Sequence, residues 1–138
     1  MKKEIYLFDD IMGLANRLAG DFKQTLAEKA ASGESLIVAL SGGHTPKAFF
    51  DVLAAPPYRD GLPWDKVVFF WGDERCVPPD NDESNFKMTN LSLLSHIKIP
   101  GANIRRVLGE NPPDEEAVRY AKEIKDNVPA GGSGFPRF

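Results

Sequence analysis

Ser35-Leu36-Ile37-Val38-Ala39-Leu40-Ser41-Gly42-Gly43-His44-Thr45-Pro46 joins an unbroken apolar run to a glycine turn and then to a helix-start signal. The run lacks the polar alternation of a half-exposed strand. It therefore predicts a strand covered on both faces, as in a parallel sheet flanked by helices. Thr45 is read as the cap of the following helix and Pro46 as its first residue, where a missing N–H costs nothing. Such a strand–turn–helix junction favours anions. The first amides of a helix lack internal partners, and the helix dipole adds about 0.3–1 kcal/mol for an exposed anion. Gly42 and Gly43 let an anion approach the backbone closely, and Ser41 and Thr45 add hydroxyl donors. Any βα unit can use the same residues as a plain turn, so taken alone they leave both readings open. His44 either lines the site or is a solvated loop histidine.

The flanking sequence repeats the pattern. Upstream, Ile11, Leu14, Ala15, Leu18, Phe22 and Leu26 recur at three- and four-residue steps, one face of a helix that Asp9 or Asp10 caps and Gly33 ends. Residues 5–8 read as a short strand or as the approach to that helix. Downstream, Phe49, Phe50 and Leu53 give the second helix an apolar side, with Pro56-Pro57 behind it. Residues 67–71 (Val-Val-Phe-Phe-Trp) read as another buried strand, and residues 72–82 as a polar loop. A helix is expected from about Ser84, its cap, to about Ile97. A strand is expected over residues 104–108. The last helix starts at Pro112-Pro113, carries Ala117, Tyr120, Ala121, Ile124 and Val128 on one stripe, and stops at Pro129. Residues 130–134 read as a flexible glycine loop. Alternating strands and helices predict a Rossmann-like three-layer α/β fold with a mainly parallel sheet.

A second polar cluster follows the second buried strand: Trp71-Gly72-Asp73-Glu74-Arg75-Cys76, then Asp82-Glu83-Ser84-Asn85. Ligands in open α/β sheets collect outside the carboxyl ends of the strands. Both clusters are expected on that rim, about 5 Å apart if their strands are neighbours. Asp73 and Arg75 are the working candidates. Arginine offers a planar fork of donors for phosphate or carboxylate, and an aspartate beside it stays ionised. The competing reading is a solvated charged turn with internal ion pairs. Nothing near Cys76 marks it as a nucleophile.

Composition excludes several classes. The chain has 138 residues with 42% hydrophobic and 27% charged side chains, ordinary for a globular protein. A formal net charge of −3 gives no support for a nucleic-acid or anionic-membrane surface. The longest apolar runs are far too short to span a bilayer. Lys2-Lys3 followed by Glu4 shows no signal-peptide pattern, and the single cysteine permits no internal disulfide, which together suggest a cytoplasmic setting.

Ser-Gly-Gly-x-Thr-Pro after one strand, then Asp-Glu-Arg, then Asp-Glu-Ser-Asn, in this order and spacing, resembles the 6-phosphogluconolactonase family. The resemblance runs over essentially the whole chain, as far as the Ile-Pro-x-x-x-Ile segment of residues 99–104. It implies hydrolysis of 6-phosphoglucono-1,5-lactone to 6-phosphogluconate in the pentose phosphate pathway, with a small-molecule sugar phosphate as partner and neither metal nor organic cofactor. Carried onto this sequence, Gly42, Gly43 and Thr45 cradle the substrate phosphate, beside the further binding candidates Ser41 and His44, and Asp73 and Arg75 lie at the catalytic end of the pocket. The family continues with an Asp-Gly-His segment whose histidine activates water, and nothing after Val128 matches it; His96 does not substitute. Residues 1–138 are therefore expected to be the N-terminal portion of a single, truncated domain, inactive or nearly so alone and able to self-associate through its incomplete sheet. The related glucosamine-6-phosphate isomerase/deaminases share the phosphate loop but carry tyrosine at the position of Arg75. A non-catalytic sugar-phosphate-binding module is the alternative from another class.

Overall fold

The computed structural model describes residues 3–138; the Lys2 end of the leading basic pair lies outside them. Asp10 accepts a hydrogen bond from the Gly13 amide and starts α1 (Ile11–Ala31), and Gly33, at φ 76°, turns the chain after it. There follow β1 (Leu36–Leu40), α2 (His44–Leu53), α3 (Tyr58–Gly61), β2 (Val67–Trp71), α4 (Asn85–Ser92), β3 (Ile104–Arg105) and α5 (Pro113–Asn127). The strands form a parallel sheet in the order β1-β2-β3, with Leu36 opposite Val67 and Leu40 opposite Trp71.

The central strand explains the layers. Val67, Phe69 and Trp71 point to one face and join a core with Phe22 and Leu26 of α1 and Phe49, Phe50 and Leu53 of α2. Phe70 points to the other face, where the rings of Tyr120 and Phe138 lie 6.1 and 5.7 Å from its own. Helices thus cover both faces of β2, and its side chains form an unbroken apolar run for that reason. This is the three-layer parallel α/β architecture expected from the sequence.

Several local expectations differ. β1 is not covered on both faces: Leu40 is buried, Leu36, Ile37 and Val38 are half-buried, and Ala39 is exposed. It is the sheet's edge, with no strand on its outer side among the described residues. The buried stripe of α1 is Ala15, Ala19, Phe22 and Leu26, while Ile11, Leu14 and Leu18 stay exposed. Residues 5–8 form neither strand nor helix, and α4 ends at Ser92 rather than near Ile97. Residues 130–134 turn back so that Ala130 bridges Pro136. The third strand stops after Arg105, three residues early, because a side chain takes over its task. The Tyr120 hydroxyl accepts from the Trp71 amide at 2.7 Å and donates to the Trp71 carbonyl at 2.9 Å, with the Arg105 carbonyl at 3.3 Å as an alternative acceptor. Burial pushes the Tyr120 phenol up to about 12, so it remains a donor at neutral pH. It satisfies the end of β2 on the side that β3 leaves open, and Leu40 accepts from the Gly72 amide on the other.

Candidate functional site at the carboxyl ends of β1 and β2

Two loops leave the sheet side by side, one after Leu40 and one after Trp71. They meet closely enough that a Cβ on Gly72 would lie 4.0 Å from Ser41 Oγ. Each feeds a helix, and the two helix starts are finished in opposite ways.

The start of α4 is closed by side chains. Ser84 caps it as expected, accepting from the Lys87 amide at 3.1 Å. Glu74 supplies the rest. Its Oε1 accepts from the Asn85 and Arg75 amides at 2.7 and 2.8 Å, and its Oε2 from the Phe86 amide and Ser84 Oγ at 2.9 and 3.0 Å. A carboxylate at a helix N-terminus is favoured both by the unpaired amides and by the dipole. The Phe86 ring, edge-on to Trp71 at 5.6 Å, ties the same turn to β2.

The start of α2 has no such closure. Helical geometry begins at His44, two residues before the expected first position at Pro46, because Gly43 is the cap residue. Gly43 adopts φ 109° and ψ 175°, a region essentially reserved for glycine. Thr45 is therefore inside the first turn rather than capping it. Gly43 carries no side chain to cap, and among the described residues no hydrogen bond uses the amides of residues 42–45 as donors. Ser41, Gly43, His44 and Thr45 are exposed. Free amides lie at the positive end of a ten-residue helix, with the hydroxyl-bearing Ser41 and Thr45 in the same stretch, a set of donors suited to a phosphate.

Asp73 and Arg75 are both exposed on the second loop. Asp73 Oδ2 accepts from Asn85 Nδ2 at 3.1 Å, and the same nitrogen lies 3.2 Å from the Asp73 carbonyl. The Arg75 guanidinium has no ion pair among the described residues, contrary to the internally paired turn considered from sequence. The loop is anchored instead by backbone packing: a Cβ on Gly109 would sit 2.2 Å from the Arg75 carbonyl and 2.6 Å from that of Val77. Cys76 is exposed and unbonded to another cysteine. His96 lies away from both loops, its Nε2 2.9 Å from the Leu91 carbonyl.

The sequence-predicted residues do not share one cavity. A groove of about 430 Å³ runs between α1, β1 and α2 and ends at Ser41 and Thr45. A smaller one of about 210 Å³ takes in Arg75, Leu108 and Tyr120. Asn85 connects the two loops, and it was not among the candidates from sequence. An ideal Cβ on Gly42 would lie 1.9 Å from Asn85 Oδ1, so glycine is required there for space, whereas Gly43 is required for its dihedral angles. Glu74 was missed as well; the Asp-Glu-Arg and Ser-Asn motifs contain both residues, but nothing in their spacing reveals that they meet. Among the described residues no group of three or more His, Cys, Asp or Glu side chains is placed to hold a metal, and no helix among them is long and apolar enough to cross a membrane.

The family model described as glucosamine-6-phosphate isomerases/6-phosphogluconolactonase matches residues 9–138. A 6-phosphogluconolactonase of Haemophilus influenzae is 44% identical over 94 residues, 68% of this chain and 40% of its own length. One from Treponema pallidum is 40% identical over 129 residues, covering 94% of this chain and 51% of its own. A crystal structure of a devB protein superposes with a TM-score of 0.86 at 39% identity, over 96% of this chain and 53% of that one. The chain thus spans about half the length of the relatives it matches. With its two rim loops, its parallel sheet and these relatives, the chain belongs to the glucosamine-6-phosphate isomerase/6-phosphogluconolactonase family.

Proposed function

We propose that this chain forms the phosphate-binding half of a 6-phosphogluconolactonase, a cytoplasmic enzyme that hydrolyses 6-phospho-D-glucono-1,5-lactone to 6-phosphogluconate in the pentose phosphate pathway. The observation that carries this reading is the contrast between the helix starts. Glu74 and Ser84 close α4, whereas α2 presents the amides of residues 42–45 unpaired, across the Asn85 side chain from Asp73. In this reading Gly42, Gly43 and Thr45 cradle the phosphate, with Ser41 and His44 at its edge. Arg75 binds the oxygen that becomes negative when water adds to the lactone carbonyl, and preorganised donors of this kind lower acyl-transfer barriers. Asp73, oriented by Asn85, holds substrate hydroxyls or water. The base that activates water belongs to the C-terminal half, as the family resemblance implies, so no step of proton abstraction is assigned within residues 1–138. By itself the chain offers the open edge of β1 and the adjoining apolar groove to a second copy.

Arg75 at the position of the deaminase tyrosine favours lactone hydrolysis over deamination. The test is a chain extended by its C-terminal half. It is expected to convert 6-phosphoglucono-1,5-lactone to 6-phosphogluconate well above the spontaneous rate and to release no ammonia from glucosamine 6-phosphate. Ammonia release, or a lactone rate equal to the spontaneous one, contradicts the reading.

A further inference from the structure

The Asn85 side chain touches both halves of the site and is itself 8% exposed. Its Nδ2 donates to Asp73, while its Oδ1 fills the space over the Cα of Gly42. The Asn85 backbone is fixed in turn: its amide donates to Glu74 Oε1 at 2.7 Å, and its carbonyl accepts from the buried Thr89 hydroxyl at 2.9 Å. Glu74 also holds the amides on either side of the bend, Arg75 and Phe86. A short chain of contacts therefore runs from Glu74 through Asn85 to Asp73 and to the glycine loop.

We infer that Asn85, held by Glu74, is a positioning residue that locks the Gly42-Gly43 loop to the Asp73 loop and so fixes the distance between the phosphate cradle and the acyl end of the site. This rests on the phosphate-loop reading above. Glycine loops adopt many conformations, and residues 42–45 make no hydrogen bonds of their own through their amides. Something outside the loop must hold it if its donors are to converge on one anion. The carboxamide packed against Gly42 is placed to do so. A ligand that gains from a preordered loop loses affinity when the loop is released.

Asn85→Ala separates this role from helix capping, because Glu74 and Ser84 still close α4 in that variant. Backbone ¹⁵N relaxation, amide hydrogen exchange and inorganic-phosphate titration, all followed by NMR on the 138-residue chain, are the measurements. Asn85→Ala is expected to lower the backbone order parameters of residues 42–45 and 73 and to weaken phosphate binding about five- to tenfold, the loss of one buried polar contact. Exchange in α1 and β2 should be unchanged. Glu74→Gln keeps the shape of the side chain but turns a donor toward backbone amides; it is expected to give the same loop effect together with faster exchange at Asn85 and Phe86. If Asn85→Ala does not fold, Asn85→Ser and Glu74→Gln carry the same comparison. Folded variants whose loop order parameters and phosphate affinity equal those of the parent chain overturn the inference. A parent chain that binds no phosphate contradicts the phosphate-loop reading, and the relaxation comparison still decides whether Asn85 positions the loop.

Discussion

The 138-residue chain alone is expected to hydrolyse 6-phosphoglucono-1,5-lactone at least about 100-fold more slowly than a chain that also carries the C-terminal half present in its relatives. Lactone hydrolysis needs a water made nucleophilic beside the carbonyl, and a positioned base supplies about 10²–10⁴-fold. Glu74 is held by the amides of Arg75, Asn85 and Phe86, so among the described residues at the carboxyl ends of β1 and β2 the groups left to accept a proton are Asp73 and His44. Asp73 Oδ2 is engaged by Asn85, and His44 lies in the first turn of α2, on the phosphate side. The large groove beside Ser41 is also open along the β1 edge, so a substrate there stays in contact with bulk water. Rates are compared at equal protein concentration after subtraction of spontaneous hydrolysis. A rate within about tenfold of the longer chain gives the base to this half. Asp73→Asn would then be the deciding variant.

Arg75→Ala in the longer chain is expected to lower kcat/KM by roughly 10- to 150-fold, the worth of one charge-assisted hydrogen bond to a developing negative charge. Stability should change little. The side chain is exposed and lacks an ion pair among the described residues, and the contacts that anchor this position are made by its backbone. Alanine keeps both the amide bonded to Glu74 and the carbonyl packed on Gly109. Thermal unfolding and kinetics on the same preparation check this. An unchanged kcat/KM removes Arg75 from the site, and a large fall in Tm with normal kinetics makes it structural.

What the sequence made legible, and what it did not, follows from the range of each interaction. β2 is written in a run of apolar residues, because burial acts on each residue directly. The stripe expected on α5 is not, since Ala117 and Ala121 are exposed, Tyr120 and Ile124 are half-buried, and the helix's buried residue is Glu116, held by Arg119 and the Leu108 amide. The glycine loop after β1 is written locally too: glycines, hydroxyls and a helix start lie within a few positions. β1 misled for the same reason. Its apolar run signals burial on both faces, while the residues described here cover it incompletely. The end of β3 was not legible, since a tyrosine from α5 replaces its last ladder bonds. Nor was the start of α2, where the unusual dihedrals of Gly43 displace the cap expected at Thr45. The Glu74–Asn85 link escaped notice because its partners are eleven residues apart and their pairing depends on how the intervening loop folds. Gly42 could be read as a close-approach glycine, but not that the Asn85 carboxamide packs over its Cα.

The phosphate cradle at residues 42–45 is the claim on which the rest depends. Titration of the 138-residue chain with 6-phosphogluconate, and separately with gluconate, followed by ¹H–¹⁵N NMR, tests it directly. The phosphorylated acid should shift the amides of Gly42, Gly43, His44 and Thr45 saturably. Gluconate, which lacks the phosphate, should bind at least about tenfold more weakly. Equal binding of the two acids, or saturable shifts that leave residues 42–45 untouched, would contradict the assignment.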